Sequence, residues 1–240
     1  MVISIKYCYE HNYLLIILGA TAQGVVTEQN KNLESDWNNN TLGRRVENAL
    51  ASFNTTVPDQ AIKRYVEYLD TLSPYKHVNK NWLIYSSMIS DIKTICPLQD
   101  MATSLATLFD AKIYSYVATQ KRNKLDNIAD STSDIEAIFD MYQIDDAYQK
   151  LADKEDEANN NANKEALIAG AKVAAEQSKF VENIQDMFYT FVRTGSLPQG
   201  KDRTQGTYLV CSEIRTQKDY PNCDFWKNTK NIVPTYANLD

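Results

Sequence analysis

The sequence lacks the features that would assign it to several common classes of protein. It has 240 residues, a formal net charge of -6 and no basic stripe interleaved with aromatic residues, so we expect no nucleic-acid partner. Its longest apolar run, residues 13–19, is too short to span a bilayer, so no transmembrane segment is expected. None of the four cysteines belongs to a CxxC pair, which argues against a structural zinc site. The sequence therefore predicts neither a metal nor a cofactor.

Histidine is also scarce, which limits the acid–base chemistry available. The chain has two histidines, His11 and His77, and neither has a cluster of possible ligands near it in the sequence. We expect a surface or core role for each rather than catalysis. The apolar content of 43% is enough for one substantial core, and no repeat or linker divides the chain. We therefore treat residues 1–240 as a single domain.

Two sequence features favour a secreted or lumenal protein. Asn39-Asn40-Thr41 and Asn54-Thr55-Thr56 are acceptor sequences for N-linked glycans. The cysteines are widely spaced, as in proteins that form disulfides in an oxidising compartment. Asn39 and Asn54 are accordingly candidate glycosylation sites.

The N-terminal region permits two interpretations. A lysine, an apolar run and Ala20-Thr21-Ala22 resemble a signal peptide cut before Gln23. Alternatively, residues 14–19 form a buried parallel strand that ends in a turn, since the run is continuous, apolar and bounded by glycine. We favour the strand because it matches a family block described below. Residues 1–12 are then an N-terminal extension that the pattern does not assign.

Strands alternate with helices along the rest of the chain. Pro58 and Pro97 each begin a segment with apolar residues at helical spacing. Residues 111–117 and 207–210 are typical of strands. Ser133 and Glu136 form a capping box at the start of another helix. This alternation predicts an α/β protein.

The last third of the chain begins with an unusual segment. Residues 150–166 are charged and rich in asparagine, which indicates a flexible insert or a solvated helix edge. A stripe of apolar residues from Phe180 to Val192 then predicts a helix that faces the core and ends at Gly195. A short helix is expected around Phe225 and Trp226.

An ordered series of blocks in this sequence is similar to one known family. The blocks are residues 15–24 (LIILGATAQG), 90–97 (SDIKTICP), 111–117 (AKIYSYV), 129–139 (ADSTSDIEAIF), 187–198 (MFYTFVRTGSLP) and 223–226 (CDFW), followed by Pro234. In this order and spacing they resemble the C-terminal portion of type-B carboxylesterases and cholinesterases. The resemblance implies an α/β-hydrolase fold, with a mixed, mostly parallel sheet flanked by helices.

The resemblance also shows what the chain lacks for catalysis. Ester hydrolysis by this fold needs a serine in a Gly-x-Ser-x-Gly turn, a histidine base and an acid that orients it. No Gly-x-Ser-x-Gly pattern occurs here. The family's acid position corresponds to Gln23, with Glu28 as a more distant carboxylate, and the histidine position corresponds to Ser131. We therefore predict no catalytic residues, and Gln23 and Ser131 are degenerate triad positions.

The structural part of the family pattern is present. Cys96 and Cys223 match the half-cystines of a long-range disulfide in cholinesterase-like members. Cys8 and Cys211 have no family counterpart, so their pairing stays open.

Three hypotheses follow. The first is a non-catalytic, secreted, esterase-like protein with a protein partner, since several members of this family serve in adhesion or as scaffolds. The second is a truncated carboxylic ester hydrolase that binds a small ester and whose serine lies upstream. The third is a fragment without a stable function.

Overall fold

The structure is a computed structural model, and it describes residues 2–8, 13–22, 37–53, 55–71, 79–109, 112–121, 129, 132–144, 161–198, 202–204, 206–218 and 220–228. Its strands are β1 (Val2–Cys8), β2 (Tyr13–Thr21), β3 (Lys112–Ala118), β4 (Thr207–Val210) and β5 (Ile214–Gln217). Its helices are α1 (Asn39–Ala49), α2 (Val57–Thr71), α3 (Lys80–Ser90), a π-helical turn (Asp91–Ile95), α4 (Cys96–Leu108), α5 (Ser133–Ile138), α6 (Asn161–Thr194) and α7 (Cys223–Asn228).

The five strands form one mixed sheet in the order β1-β2-β3-β4-β5. β2, β3 and β4 run parallel, while β1 and β5 pair antiparallel at the two sides. The parallel pairs are joined by segments that contain helices, as parallel strands require. The α/β prediction is thus confirmed. Residues 14–19 lie within β2, and residues 15–21 of that strand pair with β3, in agreement with the strand interpretation.

Alternating side chains of the central strands enter two separate cores. Ile16 and Leu18 of β2 face a core that includes residues of α1, α2, α3, α4 and α7. Ile17 of β2 and Tyr114 of β3 face the other core, with residues of α5 and α6. Helices therefore cover both faces of the sheet, and β2, β3 and β4 are mostly buried where their side chains are described, as a continuous apolar run predicts.

The long helix α6 confirms the predicted apolar stripe. Phe180, Ile184, Met187 and Phe191 are each 0% exposed, and Gly195 follows the helix with φ 74°. A positive φ favours glycine, which explains the stop. Val192, which we placed on the stripe, is 59% exposed instead, because the helix turns it away from the sheet.

Pro97 lies in the first turn of α4, as predicted, but the sequence did not show that α4 continues without a break from α3 through the π-helical turn. The π-helical turn comes directly before it, and the N–H of Cys96 bonds to the carbonyl of Asp91, five residues back. A proline in regular α-helix clashes with the carbonyl four residues earlier and cannot bond to it. The wider turn accommodates Pro97 without breaking the helix.

The structure describes a strand in the predicted N-terminal extension and only the last part of the predicted insert. The extension contributes β1, which we did not predict. The described part of the insert, from Asn161 onward, is the start of α6, whereas residues 150–160 lie outside the described residues.

Candidate functional site

The carboxyl ends of β2 and β3 lie side by side and form the edge where this fold class places its chemistry. Thr21 pairs with Ala118, and the N–H of Ala22 donates to the carbonyl of Ala118 at 2.9 Å. Gln23 comes directly after this pair, and Ser131 comes directly before the segment that begins α5. Both residues, like Glu28, His11 and His77, lie outside the described residues. The structure therefore describes the elements that flank the two positions where the sequence predicts a degenerate triad.

The described carboxylate nearest in sequence to Ser131 is used structurally. Asp134 is 1% exposed, and its Oδ2 accepts a hydrogen bond from the hydroxyl of Tyr116 at 2.9 Å. Its Oδ1 accepts from the N–H of Ile135. Burial raises the pKa of Asp134, while the bond from Tyr116 opposes that effect. Sequence reasoning missed this pair.

Gly19 makes room for the Tyr116 ring. The two residues are partners across β2 and β3, and a Cβ on Gly19 would lie 2.0 Å from Cζ of Tyr116. Burial also raises the pKa of Tyr116 well above its usual value. The phenol therefore stays protonated and donates to Asp134.

The predicted capping box is wrong by one residue. α5 begins at Ser133 itself, and Thr132 occupies the N-cap position without a side-chain cap hydrogen bond. The hydroxyl of Thr132 donates to Oε1 of Glu136 at 3.0 Å. The pattern failed because Ser133 is fully buried within the helix rather than ahead of it. Glu136 thus has a local structural partner.

The Cys96–Cys223 disulfide that the family resemblance implies is present in the structure. The two Cα atoms are 5.3 Å apart, and the bond joins the start of α4 to the start of α7 across 127 positions. Both residues are completely buried. Cys211 has a free, partly exposed thiol that donates to the carbonyl of Glu213. The backbone of Cys8 is in β1, and its side chain lies outside the described part.

A buried polar chain lies beside this disulfide. The hydroxyl of Tyr65 donates to Oδ2 of Asp91 at 2.5 Å and accepts from the indole N–H of Trp226 at 2.9 Å. All three side chains are at most 1% exposed. Burial raises the pKa of Asp91 well above its usual value, and the bond from Tyr65 opposes this. The chain therefore ties α2, the π-helical turn and α7 together through polar groups that water does not reach.

A second contact holds α7 from the surface side. Nε of Arg64 donates to Oδ1 of Asn222 at 3.0 Å, and a guanidinium nitrogen of Arg64 lies 3.4 Å from Asp224. Asn222 has a φ of 73°, which asparagine tolerates better than most residues. Asn222 and Asp224, the residues on either side of Cys223, are thus both in contact with Arg64 of α2. The sequence signal for this arrangement is only the CDFW block.

Neither a metal site nor a membrane span is found where the structure can be described. Among the described residues, there is no group of three or more histidine, cysteine, aspartate or glutamate side chains that could hold a metal ion. Of the described helices, none is both long and apolar enough to cross a bilayer. The groups that the described site does provide are hydrogen-bonded carboxyls, hydroxyls and amides.

A match to a known protein agrees with the family resemblance. No model of a known protein family matches the chain. Neurotactin of Drosophila melanogaster is 25% identical to it over 227 residues, which are 94% of this chain and 21% of neurotactin. The chain thus spans about a fifth of the length of this curated relative. Neurotactin is a cholinesterase-like protein, so the match suggests the type-B carboxylesterase family.

Proposed function

We propose that this chain is a non-catalytic, cholinesterase-like module that binds another protein outside the cell. The observation that carries the proposal is the identity of the residues at the strand ends. Gln23 follows β2 where a hydrolase of this fold needs an acid, and Ser131 precedes α5 where it needs histidine. Glutamine cannot offset the charge of an imidazolium, and a serine hydroxyl is not a base near neutral pH.

Three further observations support the binding role. Strands and helices of the α/β fold lie on both sides of these two positions, so Gln23 and Ser131 are compatible with the fold. The Cys96–Cys223 disulfide is compatible with an oxidising, extracellular setting. The likeness to neurotactin is in line with a cholinesterase-like adhesion role in general terms. A protein partner is therefore favoured over a small ester.

The absence of catalysis is tested by an ester assay on the purified chain. Hydrolysis of simple carboxylic esters should stay at the buffer rate, because the sequence has no Gly-x-Ser-x-Gly turn and forms no acyl-enzyme. The variant Ser131→His with Gln23→Glu should be equally inactive, since triad residues act as a unit. Turnover by the wild type, abolished by a serine-directed phosphonate, would contradict the proposal.

The binding role needs its own readout. Beads coated with the chain should attach to living cells, and trypsin treatment of those cells should remove the attachment because the partner is a protein. Beads coated with ovalbumin provide the background. Attachment equal to that background across neuronal, epithelial and haemocyte-like cells, or attachment that trypsin does not reduce, would count against a protein partner.

A further inference from the structure

The first turn of α1 presents three consecutive asparagines to solvent. Asn38, Asn39 and Asn40 are all exposed and together line an open surface depression. Asn38 is the N-cap, because its Oδ1 accepts from the N–H of Thr41 at 3.0 Å. Asn39 is the first helical residue and takes no part in that cap. A group attached to Asn39 would therefore leave the capping hydrogen bond in place.

The amide of Asn39 is held in one orientation by α3. Nδ2 of Asn81 donates to Oδ1 of Asn39 at 3.0 Å and also reaches the carbonyl of Trp37 at 3.3 Å. Nδ2 of Asn79 donates to the same carbonyl at 3.0 Å. The contact with Asn81 uses the oxygen of the Asn39 amide. Nδ2, the nitrogen to which an N-linked glycan is attached, is the other terminal atom of the amide and takes no part in this contact.

We propose that Asn39 carries an N-linked glycan that lies over the seam between α1 and α3. Asn39-Asn40-Thr41 supplies the acceptor sequence, and the exposed, oriented amide supplies the geometry. The Cys96–Cys223 disulfide is independent support, because disulfides persist in the oxidising compartments through which glycoproteins pass. The proposal requires entry into the secretory pathway but does not depend on whether the chain is catalytic.

Asn40 is a matched control for this site. It is exposed in the same helical turn as Asn39, but Leu42 stands where an acceptor sequence would need Ser or Thr. A glycan on Asn39 would cover this corner of the molecule. A protein partner would then bind on another face.

The test is site-resolved glycan analysis of the chain made in insect cells behind a secretion signal. Secreted and cell-associated chains are pooled, because the glycan is added in the lumen whether or not the chain is released. All variants also carry Asn54→Gln, which removes the second acceptor sequence, and the chain with Asn54→Gln alone is called the background chain. Asn39→Gln, Asn40→Gln, Thr41→Val and Thr41→Ser are compared on it by gel mobility before and after an N-glycosidase. Peptide mass spectrometry in heavy-oxygen water then locates the converted asparagine.

The background chain, Asn40→Gln and Thr41→Ser should all show a glycosidase-sensitive shift, with the label at position 39. Asn39→Gln and Thr41→Val should lose the shift completely. Thr41→Val leaves the Asn39 amide and its contact with Asn81 unchanged, so a loss there does not reflect misfolding at Asn39. An unmodified Asn39 in the background chain, or a shift that persists in Asn39→Gln, would overturn the proposal.

Discussion

Asp91 is a buried carboxyl whose ionisation is costly in this fold. Its side chain is 1% exposed, and none of the ion pairs found among the described residues includes it. Its raised pKa means that the folded chain keeps the proton to a higher pH than the unfolded chain. The folded state therefore binds more protons at this group, and the contribution of Asp91 to the free energy of unfolding falls as the pH rises above about 4.

Asp91→Asn should remove this dependence, because an amide does not titrate. Relative to the variant, the wild type should lose stability from about pH 4 upward, by at most about 1.4 kcal/mol per pH unit. The loss should stop once the pH passes the raised pKa of the buried carboxyl. Urea unfolding of both chains from acidic to mildly basic pH measures the difference. A difference that stays constant over that range would show that Asp91 titrates as an exposed carboxyl.

Gly19 supports a second prediction for a single residue. Gly19→Ala should destabilise the chain by about 3 kcal/mol, because the new Cβ overlaps the Tyr116 ring and disturbs its bond to Asp134. Gly43→Ala is the matched control, since a Cβ at Gly43 in α1 meets nothing within 4 Å. It should stabilise the chain by roughly 0.5–1 kcal/mol through helix propensity. Equal effects of the two substitutions in thermal unfolding would contradict the packing argument.

At the scale of elements, α7 is held by the disulfide, by the buried polar chain and by the contacts of Arg64. Cys96→Ser with Cys223→Ser should cost about 3–5 kcal/mol, because the disulfide closes a loop of 127 positions and both sulfurs are buried. Reductant should lower the wild type to the same level. Cys211→Ser should change the free energy of unfolding by less than about 0.5 kcal/mol, since its thiol is free and partly exposed. Denaturant unfolding of the wild type and of these variants, with and without reductant, measures the differences. A wild type whose free energy of unfolding does not change with reductant would argue against the disulfide.

The elements that could be predicted from sequence are those whose pattern reflects burial. β2 and the second half of α6 have apolar residues at the spacing that their buried faces require. β5 was missed because three of its four residues are polar and none is fully buried, so pairing with β4 rather than burial defines it. The π-helical turn was missed because Pro97 is a typical helix start, and only the continuous helix before it makes the wider turn necessary.

For the whole molecule, the scaffold was easier to predict than the site. The order of the family blocks implied the sheet, the two covering layers and the disulfide. The pairs Tyr65–Asp91 and Tyr116–Asp134 join residues 26 and 18 positions apart, so they depend on packing that local patterns do not record. The prediction that Gln23 and Ser131 occupy degenerate triad positions rests only on the family blocks on either side of them.

The claim that the chain is not a hydrolase is tested most directly by labelling with a fluorophosphonate. This probe reacts with an activated serine whatever the ester substrate, so it does not require the substrate to be known. The account predicts no adduct by intact-mass analysis of the folded chain, and an active carboxylesterase in the same tube should be fully labelled. A stoichiometric adduct that maps to one serine, and that is lost when the chain is unfolded before labelling, would contradict it.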